Sequence, residues 1–335
     1  MKAIKLARPA SLDTFEVADI DDPGTPGPGE VRVRLSANSL NYHDYAVAVG
    51  AIPTARGRIP MSDGAGVVEA IGDGVSEFAA GDPVVSVFFP YWQSGEAPHG
   101  NFSHVPGDGL DGFAREAIVA PVSWFTRAPK GWSHVEAATL PCAALTAWRA
   151  LVVEGGLKAG DSVLILGTGG VAIFALQMAK AMGATAIVTS SSDAKLERAR
   201  EMGADFTVNY KTDPDWGDTV RKWTGKRGVD HVLEIGGPGT LAQSITAARI
   251  GGHISLIGIL TGIKGEVPTL AMMAKQIRLK GIVVGSRAHQ TDMIRGLEAT
   301  GIRPVIDKTF PLANLADAFR YEETGQHFGK ICVEM

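Results

Sequence analysis

The chain has 335 residues, of which 45% are hydrophobic and 20% charged, a composition typical of soluble globular proteins. Its formal net charge of -4 gives no reason to expect a nucleic-acid partner, and no apolar run reaches the ~18 residues that a membrane helix needs. Its only cysteines are Cys142 and Cys332, which excludes a disulfide framework or a four-cysteine zinc cluster and favours a reducing, cytoplasmic setting.

Residues 1–130 are typical of a compact β domain. Residues 30–36 alternate apolar and polar side chains, the pattern of a half-buried antiparallel strand. Short runs rich in β-branched residues recur at 67–71 and 83–88, separated by glycine turns.

From Ser162 onward, strands and helices alternate, which predicts an α/β fold with a doubly wound parallel sheet, or Rossmann fold. We therefore expect a dinucleotide-binding domain over residues 131–285, and a segment over 286–335 that returns to the β domain. The predicted strands are 162–166, 184–189, 206–209, 229–235, 253–259 and 279–284, and the predicted helices are 170–182, 194–202, 216–223, 241–248 and 270–276.

A glycine motif follows the first of these strands. Gly167, Gly169 and Ala172 fit the G-x-G-x-x-G/A fingerprint, in which a tight turn lets the backbone approach a pyrophosphate. The N-terminus of the next helix would direct free N–H groups at the phosphates. A purely structural glycine turn is the alternative, but the strand before and the helix after favour coenzyme binding. The residues expected at the phosphates are Gly167, Thr168, Gly169, Gly170 and Val171.

The end of the second strand predicts the choice of coenzyme. Units that prefer NAD place an acidic residue there on the ribose hydroxyls, but this chain has Ser190 followed by Ser191. Serine hydroxyls can donate to a 2′-phosphate and Lys195 can neutralise it, which favours NADP(H). Alternatively, Ser192 or Asp193 caps the next helix and Lys195 is a solvated charge.

A series of short motifs extends over nearly the whole chain. They lie at residues 29–33, 41–44, 63–67, 81–84, 137–148, 167–171, 251–258 and 329–331. Together they resemble the medium-chain dehydrogenase/reductase superfamily. The resemblance implies a GroES-like β domain completed by the C-terminal segment, an active site in the cleft between the domains, and dimers that pair the edge strands of the nucleotide domains.

The resemblance also bears on zinc. Zinc alcohol dehydrogenases of this superfamily hold the catalytic ion with a Cys matching Asn41, a His matching Ser62 and a second Cys matching Cys142. One remaining ligand type cannot form the three-ligand site that catalytic zinc needs, so no metal is expected. The chain therefore resembles the zinc-independent quinone oxidoreductase branch, in which the position of Tyr210 lies near the 2′-phosphate.

Without a metal, charge that develops on the substrate oxygen needs hydrogen-bond donors. The resemblance places Asn41 and Tyr42 at the segment that lines the active site, and both can donate. His43 matches a proton-relay position and could pass a proton to the product. Alternatively, His43 bonds to backbone and Tyr42 packs on the nicotinamide. Thr146 either faces the nicotinamide ribose or is a buried helix residue.

Aromatic residues stand where the superfamily builds its substrate wall, which suits a planar, apolar substrate. A core or dimer contact is the competing interpretation for some of these rings. The predicted wall residues are Phe89, Tyr91, Trp92 and Phe113.

These observations predict an NADPH-dependent reductase of quinones, activated C=C bonds or reactive carbonyls that works without zinc. The alternatives are a zinc-free alcohol or aldehyde dehydrogenase, and a nucleotide-binding redox sensor without efficient turnover. An unpaired apolar edge strand needs cover. We therefore expect a homodimer built through residues 281–285, with further association to a tetramer as an alternative.

Overall fold

The computed structural model describes residues 1–98 and 104–335 and divides into two compact units. Unit 1 consists of Met1–Leu145 and Val284–Met335, and unit 2 of Thr146–Val283. The sequence places these boundaries after residues 130 and 285. In the described part of the chain, no helix combines the length and apolar character that a membrane crossing requires.

Unit 1 is mostly β-structure. Its strands are β1 (Lys2–Leu6), β2 (Phe15–Asp19), β3 (Glu30–Ser39), β4 (Gly64–Ile71), β5 (Pro83–Ser86), β6 (Ala117–Pro121), β7 (Phe125–Arg127), β14 (Ile306–Pro311) and β15 (Lys330–Glu334). Its helices are α1 (Tyr42–Ala48), α2 (His134–Ala137), α9 (Arg287–Thr300) and α10 (Leu315–Glu323), with a π-helical turn at Leu140–Ala144 and 3₁₀ turns at Leu12–Thr14, Val122–Trp124 and Leu312–Asn314.

Unit 2 alternates strands with helices. Its strands are β8 (Ser162–Leu166), β9 (Thr185–Ser190), β10 (Phe206–Asn209), β11 (Val229–Glu234), β12 (Ala248–Leu256) and β13 (Arg278–Gly281). Its helices are α4 (Gly170–Ala181), α5 (Asp193–Glu201), α6 (Trp216–Trp223), α7 (Pro238–Ala247) and α8 (Thr269–Ala274); α3 (Leu145–Trp148) and a π-helical turn at Arg149–Val153 precede them.

The sheet of unit 1 has the order β14-β15-β3-β4-β5-β7, and β6 also pairs with β3. Strand β3 is antiparallel to β15, so the C-terminal segment contributes a strand to the sheet of unit 1. The alternation predicted for β3 is present, since Val31, Val33 and Leu35 are buried in the core. Helix α2 packs on β3, β4 and β5, which is why unit 1 continues beyond residue 130.

The sheet of unit 2 has the order β10-β9-β8-β11-β12-β13, and every pair is parallel. This is the strand order of a doubly wound dinucleotide-binding fold, so the predicted Rossmann unit is confirmed. All five residues of β8 are buried at the centre of the sheet, as expected for a strand covered on both faces.

Several predicted strand limits differ from the structure. The strand expected at 253–259 is β12, which begins at Ala248 and ends at Leu256. The next two residues leave the ladder, because the N–H groups of Ile257 and Gly258 both donate to the carbonyl of Glu234. The strands expected at 83–88 and 279–284 end earlier, as β5 and β13 show.

The C-terminal end of α7 is held by a lysine from outside the helix. The Nζ of Lys275 donates to the carbonyls of Ile245 at 2.8 Å, Thr246 at 2.6 Å and Ala248 at 2.9 Å. A cation at this end of a helix satisfies carbonyls that lack partners within the helix, and it opposes the negative end of the dipole.

Candidate functional site

A buried polar cluster lies in unit 1 where β3 runs into α1 and where β4 begins. Asn41 is its centre: its Nδ2 lies 2.8 Å from Oδ2 of Asp63 and 3.1 Å from Oδ2 of Asp44. The hydroxyl of Ser62 donates to Asp44 over 3.1 Å, and the backbone N–H of Ser62 donates to the other oxygen of Asp44. All four residues are at most 7% exposed. Their polar groups therefore bind one another rather than water.

Lys330 on β15 completes this cluster. Its Nζ donates to Oδ1 of Asn41 over 2.6 Å and also to the backbone carbonyl of Leu40. No local sequence pattern points to Lys330, because its partners lie about three hundred residues earlier in the chain.

Burial shifts the ionisation of the acidic groups here. It raises the pKa of Asp63 to about 8; Lys330 lowers the value and Asp44 raises it further. Burial also raises the pKa of Asp44, against the effect of His43. Desolvation of the sulfur and the nearby carboxyl of Asp63 hold the pKa of the Cys142 thiol well above its usual range. The cluster therefore favours protonated acids and a protonated thiol.

Tyr42 and His43 form the first turn of α1, directly after Asn41. Tyr42 is 54% exposed. The ring of His43 contacts that of Phe88 edge-on at 5.4 Å, and its Nε2 lies 3.8 Å from the carboxylate of Asp108. Both interpretations of His43, as a proton relay and as a residue bonded to backbone, therefore stay predictions.

The predicted wall residues have different surroundings. Phe113 is completely buried in the core of unit 1, where its ring lies 6.2 Å from that of Phe125. Phe89 and Trp92 are buried as well and pack against each other. Among the four predicted rings, Tyr91 alone reaches the surface, with half of its area exposed. Phe89, Trp92 and Phe113 therefore pack as core residues, as the competing interpretation expects.

The glycine loop of unit 2 joins β8 to α4. Gly167 has a φ of +80°, in the left-handed region that favours glycine, and a Cβ at this position would lie 2.9 Å from Ile235. Gly169 is the N-cap of α4 and has no side chain to cap the helix, so the N–H groups of the first turn, including those of Gly170 and Val171, face the loop. A phosphate fits such a helix end. Thr168 is buried beside the turn.

The residues predicted at the ribose lie at the ends of the neighbouring strands β9 and β10. Ser190 ends β9, and its hydroxyl accepts the N–H of Ser192 at 3.3 Å. Tyr210 follows β10, donates its N–H to the carbonyl of Ser190 and exposes 43% of its surface. Lys195 lies in the first turn of α5, where its N–H donates to the capping hydroxyl of Ser192. Ser192 therefore caps α5, as the alternative interpretation has it, and Tyr210 is bonded to Ser190; the binding of a 2′-phosphate by these residues stays a prediction.

Two further residues predicted to bind the coenzyme are partly or fully buried. Ser191 is half-buried in the bend after β9, and Thr146 is 3% exposed in α3. The buried position of Thr146 matches the alternative interpretation of this residue as a helix residue, while its contact with a ribose stays a prediction.

Glu234 is a buried residue of unit 2 that the sequence analysis missed. One of its carboxylate oxygens accepts the N–H groups of Gly236 at 2.8 Å and Gly237 at 3.0 Å, together with the hydroxyl of Thr240. The other oxygen accepts the hydroxyl of Ser244. A carboxylate at the end of β11, followed by two glycines, is the sequence signal that could have found it. It fixes the loop whose Ile235 side chain faces Gly167.

Comparison with known proteins covers both units. The family described as alcohol dehydrogenase GroES-like domain matches residues 27–130, and the family described as zinc-binding dehydrogenase matches residues 170–299. A zinc-type alcohol dehydrogenase-like protein of Schizosaccharomyces pombe is 41% identical, over 97% of this chain and 96% of its own length.

Solved structures of related proteins are similar to this chain over its whole length. The structure of an NAD-dependent alcohol dehydrogenase is 34% identical and superposes with a TM-score of 0.91, over 100% of each chain. The structure of the crotonyl-CoA carboxylase/reductase AntE in complex with NADP is 26% identical, with a TM-score of 0.88 over 100% of this chain and 94% of that one.

The zinc implied by the matching family does not fit the residues at the corresponding positions. The oxygen of Asn41 accepts a hydrogen bond from the ammonium of Lys330, the hydroxyl of Ser62 bonds to Asp44, and the thiol of Cys142 has a raised pKa. Within residues 1–98 and 104–335, no group of three or more His, Cys, Asp or Glu is arranged to hold a metal. These residues do not supply the ligand set that catalytic zinc needs.

A nicotinamide coenzyme does fit unit 2. Gly167 adopts the left-handed conformation of a tight turn, α4 begins at a glycine, and the strand order is that of a dinucleotide-binding sheet. Both domain families and the relatives are those of NAD(P)-dependent, alcohol dehydrogenase-like oxidoreductases. The chain therefore belongs to the medium-chain dehydrogenase/reductase superfamily, as an oxidoreductase with a GroES-like and a Rossmann domain.

Proposed function

We propose that the protein is an NADPH-dependent reductase that reduces quinones, enones or reactive carbonyls without zinc. The observation that carries this proposal is the hydrogen-bonded cluster at Asn41 and Ser62. Because these side chains bond to carboxyl groups and to an ammonium, polarisation of the substrate falls to hydrogen-bond donors. Such donors suit conjugated acceptors, in which negative charge spreads onto an oxygen as the carbon is reduced.

The coenzyme supplies the hydride, and this chain supplies the positions and the proton. We assign Tyr42 as the donor to the substrate oxygen, because the residue is exposed at the start of α1. His43 is assigned as the proton donor, and Asn41 as the residue that holds the carboxyl groups in place. Tyr91 provides an exposed aromatic face for a planar substrate. The NADP-bound reductase of crotonyl-CoA, whose substrate has an activated C=C bond, supports this choice.

A panel of acceptors tests the proposal. Purified protein is mixed with NADPH and with quinones, enones, aldehydes and unsaturated acyl thioesters, and the oxidation of NADPH is followed by absorbance. We expect the enones or quinones to give the highest kcat/KM, with no stoichiometric zinc in the protein and no loss of activity on chelation. Tyr42→Phe should lower kcat by about tenfold to a hundredfold, because one polarising hydrogen bond is lost.

A second candidate function is a zinc-free alcohol or aldehyde dehydrogenase. The similarity to an NAD-dependent alcohol dehydrogenase favours it. It predicts oxidation of alcohols with NAD(P)⁺ in the same assay and little activity with enones. Full zinc occupancy with chelator-sensitive turnover would contradict both functions, and coenzyme binding without turnover would instead indicate a redox sensor.

The preference for NADPH is proposed from Ser190, Lys195 and Tyr210. A charge-assisted contact with the 2′-phosphate contributes about 1.5–3 kcal/mol, which is roughly tenfold or more in affinity. Ser190→Asp should shift the preference toward NADH by repulsion, since a carboxylate would replace the hydroxyl that ends β9. Ser190→Asn is the matched control, because it has the size of Asp without its charge.

The role of Lys195 is tested by titrating the wild type and the variants with NADPH and with NADH at one fixed salt concentration. Lys195→Ala should weaken NADPH binding about tenfold and leave NADH binding nearly unchanged. Lys222→Ala removes an exposed lysine from the end of α6 and should change neither. Equal binding of NADH and NADPH by the wild type, or an equal loss of both in Lys195→Ala, would disprove the assignment to the 2′-phosphate.

A further inference from the structure

Lys330 carries a buried ammonium whose partners all belong to the segment that leads into α1. The residue is 3% exposed, and its Nζ donates to Oδ1 of Asn41 and to the carbonyl of Leu40. Throughout residues 1–98 and 104–335, no carboxylate oxygen lies within 4.0 Å of this nitrogen. Burial of a cation is costly unless its hydrogen bonds are satisfied, and here the neutral oxygens of Leu40 and Asn41 accept them.

The ammonium fixes the orientation of the Asn41 carboxamide. Since an ammonium can only donate, the side chain of Asn41 must turn its oxygen toward Lys330. Its NH₂ group then faces the carboxyl oxygens of Asp63 and Asp44, at 2.8 and 3.1 Å. Both ends of the carboxamide are engaged, which explains why Asn41, the N-cap of α1, makes no side-chain cap of its own helix.

We infer that Lys330 is a positioning residue of the proposed reductase site, because it fixes both Leu40 and Asn41 and therefore sets the first turn of α1, which presents Tyr42 and His43. The inference rests on the proposed function for its catalytic consequence only.

Kinetics of two variants test this role. Lys330→Met keeps the apolar stem and removes the donors, so kcat with NADPH should fall about tenfold or more, as for the loss of a charged hydrogen bond. The KM for NADPH should change less than about twofold, because the coenzyme residues of unit 2 are unaltered. Lys330→Arg keeps a charged donor and should recover part of kcat. Lys275→Met, which removes a half-buried ammonium from unit 2, is the control for a purely structural loss and should leave kcat unchanged.

A readout without turnover separates this inference from the proposed function. The side-chain NH₂ signals of Asn41, identified by their loss in Asn41→Asp, should exchange slowly with solvent in the wild type. They should exchange about tenfold faster in Lys330→Met, or in Lys330→Gln if the Met variant does not fold. If the wild type reduces no acceptor, the proposed function fails, but the exchange rates still decide the role of Lys330. Unchanged exchange in the variant that folds would overturn the inference.

Discussion

The buried imidazole of His253 makes the stability of unit 2 depend on pH. It lies on β12 and is 3% exposed, and its Nε2 is 3.0 Å from the hydroxyl of Ser255. Strand β11 places His231 directly opposite, with ring centroids 6.3 Å apart. Burial, followed by the charge of Arg278 and by His231, lowers the pKa of His253 to about 4.

The direction of the effect follows from which state binds the proton. In the unfolded chain the imidazole has a pKa of about 6.5, so between about pH 6.5 and 4 the unfolded state holds a proton that the folded state lacks. The contribution of His253 to the free energy of unfolding is therefore complete above about pH 6.5 and falls as the pH decreases. The loss is about 2 kcal/mol between pH 7 and pH 5, and about 3 kcal/mol at pH 4.

Hydrogen exchange of β12 measures this loss within unit 2. The opening free energies of the β12 amides are compared at pH 7 and pH 5, after correction for intrinsic exchange rates, in the wild type and in His253→Gln. Glutamine retains a polar group near Ser255 but does not titrate. The wild type should lose about 2 kcal/mol more than the variant. Equal losses in the two proteins would show that burial does not lower the pKa of His253.

Three further predictions concern stability and assembly. Lys275→Met should lower the free energy of unfolding of unit 2 by about 2 kcal/mol, since it removes the charged donor from the end of α7; an unchanged urea midpoint would contradict this. Asp63, whose pKa is raised to about 8, keeps a proton that the unfolded chain loses near pH 4, so the stability of unit 1 should fall as pH rises from about 4 to 8. Asp63→Asn should reduce that fall without abolishing it, because burial also raises the pKa of Asp44 and that of Glu322 on α10, and melting temperatures across this range measure it. We also expect a homodimer through the edge strand β13, so Val283→Asp, at a half-exposed residue just beyond that edge, should convert dimer to monomer in light scattering, and a wild-type monomer at micromolar concentration would refute it.

The sequence predicts those parts of the fold that local patterns determine. The loop at Gly167 and the strand order of unit 2 follow from a glycine motif and from alternating elements, which are short-range signals. The start of β12 was missed because Gly251 and Gly252 interrupt its apolar run, although the preceding segment still pairs with β11. Phe113 could not be distinguished from a surface aromatic residue, because its burial depends on a distant chain segment at Gly64.

In the candidate site, too, contacts set by local patterns could be predicted from the sequence, whereas contacts between distant segments could not. Ser190 and Tyr210 follow strands that are neighbours in a predictable sheet, so their proximity could be foreseen. The bond from Lys330 to Asn41 joins residues 289 positions apart, and no spacing rule encodes it. Sequence reasoning named Asn41 as a donor to substrate. The structure shows that its NH₂ group already binds Asp63 and Asp44, so any direct role with substrate stays a prediction.

Unit 1 is formed by two separate segments of the chain, which has a consequence for folding during synthesis. Strand β15 lies between β14 and β3 in the sheet, yet a ribosome synthesises it only after all of unit 2. Unit 2 is continuous in the chain and can fold as soon as it emerges, whereas β3 must wait without its neighbour, and Asn41 without its lysine, until residue 330 has been added. Chains that end after residue 300 and are released from the ribosome should therefore show a protease-resistant unit 2 and a cleavable unit 1. In the growing chain, the nucleotide-binding unit is complete before the GroES-like unit can form.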